Sequence, residues 1–240
     1  MHAQTDTPRT NHLLYLHGFA SSADGRKPNY LRPLLADQPN VTFHALDFSP
    51  TPADFEYLTV TGMIHRLRQY ILDHDLASVA LIGSSMGGLV ALNYAARFPG
   101  VTRLLLLAPA LTYLSGERVG VPLADWQASG VGEVFHYGFN RPVPLRYELE
   151  IDGRFYHTAP PPPAPITILH GAQDEVVPVT ASREYAARYP EQVQLIEVAA
   201  GHDINAHLPL IWQVAQRFLL PPGGALAGET DRGLSPRKDR

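Results

Sequence analysis

The sequence predicts an α/β fold: a doubly wound, mostly parallel sheet of about six strands, helices on both faces, and a small insertion beside one end of the sheet. Two patterns carry this expectation. Short apolar runs alternate with amphipathic helical stripes along almost the whole chain, which implies strands joined by right-handed helical crossovers. In addition, runs such as Leu104 to Leu107 lack polar alternation, as expected of strands covered on both faces.

The first strand is read at Leu13 to Leu16, ending in His17, Gly18 and Phe19 and a loop with Ser21 and Ser22. Residues 26 to 36 place Tyr30, Leu31, Leu34 and Leu35 at helical spacing, and Val41 to Leu46 returns to an extended pattern before Asp47. The segment 48 to 60, with Pro50 and Pro52, reads as a loop. Met63, Ile64, Leu67, Tyr70 and Ile71 then form one apolar stripe of a second helix. A strand at Val79 to Ile82 leads through a Gly-rich turn into a helix from about Leu89 to Phe98, and Val101 to Ala108 gives a strand deep in the sheet. Ile166 to Leu169 and Val193 to Val198 are the last two strands. They are separated by a helix around Ala181 to Arg188 and followed by one bearing Leu210, Ile211, Val214 and Phe218.

Residues 111–165 interrupt the alternation. They hold Trp126, many glycines, an alternating stretch from Leu145 to Tyr156 that predicts a hairpin about Asp152-Gly153, and the run Pro160 to Pro163. A length of about fifty residues suits a small cap over a pocket and is short for an independent domain. Residues 1–11 are polar and expected to be flexible. Residues 221–240, rich in Gly, Pro and charge without periodicity, are expected to be disordered. The main domain is therefore placed at 12–220.

Composition narrows the function. A chain of 240 residues with 45% hydrophobic and 18% charged residues can bury a substantial core. The formal charge of -4 and the lack of a basic run interleaved with aromatics argue against nucleic-acid binding. No stretch reaches the ~18 apolar residues of a membrane span. The chain has no cysteine, which excludes disulfides, thiolate metal ligands and a cysteine nucleophile and is compatible with the cytoplasm, the expected location.

The turn Gly83-Ser84-Ser85-Met86-Gly87 has the pattern of a nucleophile elbow. A serine at such an apex is held in a strained conformation that pushes its hydroxyl out of the sheet, which requires tiny residues two positions away on either side. A helix starting at Met86 would direct its unpaired amides toward the point of attack. A serine nucleophile needs a histidine base and a carboxylate to orient it. Asp174, in His170-Gly171-Ala172-Gln173-Asp174, and His202, in Gly201-His202-Asp203, follow the last two strands, giving the chain order Ser85, Asp174, His202. Glu175 is expected to point elsewhere, and Asp203 sits too near His202 to orient its ring. The amides of Met86 and Phe19 are the candidate oxyanion donors, each such donor being worth about 3 to 4 kcal/mol in the transition state. His17 is read as a structural residue beneath that loop, and His202 with His207 lacks the convergent partners of a metal site.

These motifs resemble the α/β-hydrolase superfamily over roughly residues 12 to 220, through His17-Gly18-Phe19, Gly83-x-Ser85-x-Gly87, His170-Gly171-x-x-Asp174-x-x-Val177-Pro178 and Gly201-His202. More narrowly, Tyr15-Leu16-His17-Gly18-Phe19-Ala20-Ser21-Ser22 and Gly83-Ser84-Ser85-Met86-Gly87-Gly88 resemble compact YqiA-type bacterial esterases and the related acyl-glucuronide esterase and depalmitoylase branch. The chain begins directly at the His-Gly strand, so the antiparallel first strands of larger members are not expected.

The expected activity is cofactor-free hydrolysis of a small-molecule carboxylic ester or thioester through an acyl-enzyme on Ser85. Carbon-carbon hydrolysis, perhydrolysis, and a ligand-binding or signalling role for the same pocket are the alternatives. Leu111, Tyr113, Trp126 and Val177 are candidate pocket residues, each lying near a loop at the catalytic edge; core packing would place any of them equally well. The sequence sets no oligomeric state.

Overall fold

The computed structural model describes residues 11–112 and 122–220. Its framework is a parallel sheet of six strands, β1 (Asn11–Leu16), β2 (Val41–Leu46), β3 (Val79–Ser84), β4 (Val101–Leu107), β7 (Ile166–Gly171) and β8 (Val193–Val198), in the order β2-β1-β3-β4-β7-β8. The chain moves outward from β1 to β2 and then returns to place β3 on the other side of β1. This reversal opens a crevice at the carboxyl ends of β1 and β3, where ligands bind in open α/β sheets. Asn11, read from sequence as part of the flexible terminus, already pairs with Val41 in β1.

Two apolar layers cover the sheet. Leu13 and Tyr15 of β1, Ala80 and Ile82 of β3, and Leu105 and Leu107 of β4 face one side, packing with Leu31 and Leu35 of α1 (Arg26–Ala36) and Ile211, Ala215 and Leu219 of α8 (Leu208–Leu219). Leu14, Leu16, Leu81, Leu104 and Leu106 face the other, against α3 (Val60–Asp73) and α4 (Met86–Ala95). The alternation within Leu104–Leu107 explains why that run contains no polar residue. Helix α4 is buried from Met86 through Tyr94, so it is apolar all round rather than amphipathic. Helix α7 (Val179–Arg188) links β7 to β8.

Three local expectations are corrected. The predicted loop at 48 to 60 contains α2 (Pro52–Glu56), started by a capping box in which the Thr51 side chain accepts from the Asp54 amide while Asp54 accepts from the Thr51 amide. The hairpin lies earlier than predicted, with β5 (Val131–His136) antiparallel to β6 (Arg141–Arg146), after α5 (Leu123–Ser129). The Asp152-Gly153 pair instead ends α6 (Glu148–Gly153). The Asp152 carboxylate is turned toward the start of α3, accepting from the Thr61 amide at 2.8 Å and the Thr61 hydroxyl at 2.5 Å, so it caps a neighbouring helix instead of forming a strand turn.

Candidate active site

Ser85 sits between β3 and α4 with φ 51° and ψ -116°, a region that side-chain-bearing residues rarely occupy. Its amide donates to the Leu107 carbonyl at 2.9 Å, and its own carbonyl accepts from Gly88 and Ala110, fixing the turn from both sides. The flanking glycines are required by close approach. A Cβ on Gly83 would lie 2.6 Å from the Gly87 carbonyl oxygen, and one on Gly87 would lie 2.2 Å from that of Leu16.

His202 comes from the loop after β8, and its Nε2 is 3.0 Å from Ser85 Oγ. Its Nδ1 is 2.8 Å from Asp174 Oδ2. With the Nδ1 proton donated to the carboxylate, Nε2 is left as an acceptor for the serine hydroxyl proton, the arrangement a general base requires. Asp174 is held in place by the loop after β7, which is knitted to the β8 loop through Ala172 N–H to Val198 O and Gln173 N–H to Ala200 O.

Asp174 has a further partner, His170, to which sequence reasoning assigned no role. The buried His170 places Nε2 3.1 Å from Asp174 Oδ2 and 2.9 Å from the Val177 carbonyl oxygen. Both neighbours are acceptors, so Nε2 carries the proton, and Nδ1 accepts from the Ser182 hydroxyl at 2.8 Å. Asp174 Oδ1 accepts from the amides of Val176 and Val177. Burial alone would raise the Asp174 pKa, but hydrogen bonds from His170, His202 and Val177 outweigh it and hold the carboxyl well below the usual range. The sequence cue to His170 was its place in the motif His170-Gly171-x-x-Asp174, at the end of a buried strand.

The loop after β1 is anchored by His17. The Phe48 amide donates to its Nε2 at 2.9 Å, which leaves Nδ1–H to donate to the Gly18 carbonyl at 2.8 Å. Asp47 Oδ1, 3.3 Å from Nε2, becomes an ion-pair partner only if this ring is protonated. Phe19 follows, packed 5.5 Å from the Phe55 ring. Neither the Phe19 nor the Met86 amide finds an acceptor among the described residues.

A cavity of about 820 Å³ opens over Ser85 and His202. Its walls include Tyr15, Phe19, Lys27, Tyr137 and Asn205. The Tyr137 amide donates to the Ala20 carbonyl at 2.8 Å, tying the β5–β6 ribbon to the loop after β1. Leu111, Trp126 and Val177 are instead buried in the main core and are not among the cavity walls. Trp126 is fixed there by donating Nε1–H to the Leu145 carbonyl at 2.8 Å, with Tyr147 packed edge-on. Tyr113 lies outside the described residues. His207 is in a short turn before α8, with Nε2 facing the Ala199 carbonyl. No group of three or more described His, Asp or Glu side chains could hold a metal ion.

A parallel sheet of this order, with a strained serine after β3 and Asp174 and His202 after the last two strands, defines the α/β-hydrolase architecture. Residues 12–218 match the family described as "Uncharacterised protein family (UPF0227)", and the chain belongs to that family. Solved structures share the fold at low identity. The ferulic acid-bound form of Est1E from Butyrivibrio proteoclasticus superposes with a TM-score of 0.73 at 18% identity, over 90% of each chain. Alpha/beta hydrolase domain-containing protein 10 from mouse gives 0.70 at 20%, covering 88% of this chain and 90% of its own. A putative hydrolase from Agrobacterium vitis gives 0.69 at 22%, over 88% of each.

Proposed function

We propose that this protein is a serine hydrolase of small carboxylic esters or thioesters. One observation carries the reading: the continuous path from Ser85 Oγ through the His202 ring to Asp174, at 3.0 and 2.8 Å, opening onto the cavity. Ser85 Oγ attacks the acyl carbonyl carbon while His202 Nε2 takes its proton; the same proton passes to the departing alcohol or thiol. Water then attacks the acyl-serine, His202 again serving as base, and the acid is released. Asp174 stabilises the imidazolium formed in each half-reaction, and the Phe19 and Met86 amides are assigned to the developing oxyanion. Among the proteins that share the fold, Est1E from Butyrivibrio proteoclasticus is described with ferulic acid bound, a small acid compatible with a cavity of this size.

Ser85→Ala is expected to lower turnover of a short-chain aryl ester by at least ~10⁴-fold and to abolish labelling by a fluorophosphonate, with the folded state retained. Turnover that survives the substitution would remove Ser85 from the mechanism. Folded wild-type protein that neither labels nor turns over esters or thioesters would favour a ligand-binding role.

A further inference from the structure

The cavity beside Ser85 carries two cationic side chains on one wall. Arg26 and Lys27 open α1 and line the same space as Ser85 and His202. Arg26 is exposed, whereas Lys27 is half-buried. Withdrawing an ammonium from water is unfavourable unless an anion accompanies it. Burial accordingly lowers the Lys27 pKa, Asp203 opposes that shift, and Arg26 adds to it.

Neither nearby carboxylate satisfies this group. Among the described residues, no carboxylate comes within 4.0 Å of the Lys27 ammonium. Asp203 directs Oδ1 to the Asn205 amide. Asp24 is turned outward, with 86% of its side chain exposed and Arg32 3.6 Å away. The first turn of α1 has no acidic residue, and its N-cap, Gly25, supplies no side-chain acceptor, so the helix adds positive potential on the same side.

We propose that Lys27, flanked by Arg26, is a specificity residue that receives a carboxylate of the substrate, so that the preferred ester carries a negative charge on its acyl or alcohol part. The proposal rests on Ser85 being the nucleophile of an ester hydrolase and adds the chemical class of the substrate. A carboxylate seated there fills the ion-pair position that Asp24 and Asp203 leave open, and anchors one end of the substrate away from the reacting carbonyl.

The test compares aryl monoesters of glutarate and adipate, and carboxy-substituted phenyl acetates, each with its methyl-capped neutral counterpart. In the wild type, kcat/KM for the charged member of at least one pair should exceed that of its neutral partner by about 10-fold or more, and Lys27→Met should cut this ratio by a similar factor. Lys27→Arg should restore part of it. Reading the ratio within each protein removes any general loss of activity, and stoichiometric fluorophosphonate labelling of Lys27→Met shows that it is folded. Labelling with no charge preference in the wild type, or with a preference that survives in Lys27→Met, overturns the assignment of Lys27 alone. If wild-type protein neither labels nor turns over any ester, the nucleophile reading fails, and calorimetry decides the anion site. Glutarate binding that weakens at least about 10-fold in Lys27→Met then supports it, and equal or absent binding overturns it.

Discussion

Four donors converge on the Asp174 carboxylate: two amides on Oδ1 and two imidazole N–H groups on Oδ2. Each strengthens when the acceptor is ionised, which is why Asp174 remains charged despite burial. The folded-state pKa is depressed, so the associated stability is fully present above the unfolded value of about 3.9 and is lost as pH falls through the folded value. Asp174→Asn places an amide where two ring N–H groups require an acceptor. We expect it to lower stability at pH 7 by roughly 2–4 kcal/mol, with the gap to wild type narrowing as pH falls below about 4. Urea unfolding at a series of pH values measures this, and a constant gap would mean that the carboxylate charge contributes nothing. Activity should also fall sharply, because nothing then selects the His202 tautomer that leaves Nε2 free to accept.

Among the elements, the strands and the turn at Ser85 were legible because their signals are local. The apolar runs of β3 and β4 are fully covered, and Gly83 and Gly87 flank a serine whose conformation demands them. The positions of Asp174 and His202 just beyond β7 and β8 followed from strand order alone. What could not be read depended on partners distant in sequence. Asp152-Gly153 has turn chemistry, but its fate is decided by Thr61, 91 residues away. Trp126 and Val177 look like pocket residues from their loop positions, yet both find enclosure in the core. Lys27 gave no signal at all, because its place in the cavity depends on how α1 meets the loop after β1. The tightest element contact supplies a test: β1 passes so close to the start of α4 that a Cβ at position 87 would overlap two backbone carbonyls, those of Leu16 and His17. Backbone cannot rotate aside as a side chain does. Gly87→Ala is expected to cost about 3 kcal/mol or more in thermal or urea unfolding and to displace the loop after β1. Near-wild-type stability and activity would contradict this packing.

At the scale of the whole molecule, the described residues between β4 and β7, 122–165, are tied to the sheet and its helices by polar contacts, and one of these contacts reaches the cavity wall. Its ribbon meets the loop after β1 through Tyr137 N–H to Ala20 O, and β6 meets α2 through the Arg146–Glu56 ion pair. The Asn93 side chain donates to the His157 carbonyl, and Asp152 closes the set at the start of α3, where the Tyr156 hydroxyl lies 2.6 Å from that of Thr61. Exposed ion pairs contribute little, whereas a half-buried carboxylate on two donors at a helix N-terminus contributes more. Asp152→Ala leaves the Thr61 amide without its acceptor and should lower stability by about 1–3 kcal/mol. The loss should be local: amide exchange should accelerate across 148–156 and the first turn of α3, while β3 and β4 keep their protection. Asp152→Asn, which retains an acceptor but not the charge, should fall between the two. Uniform acceleration throughout the sheet would mean that the insertion and the sheet unfold as one cooperative unit. Unchanged exchange near 148–156 would mean that the core contacts of Trp126, Val143 and Leu145 hold this region without Asp152.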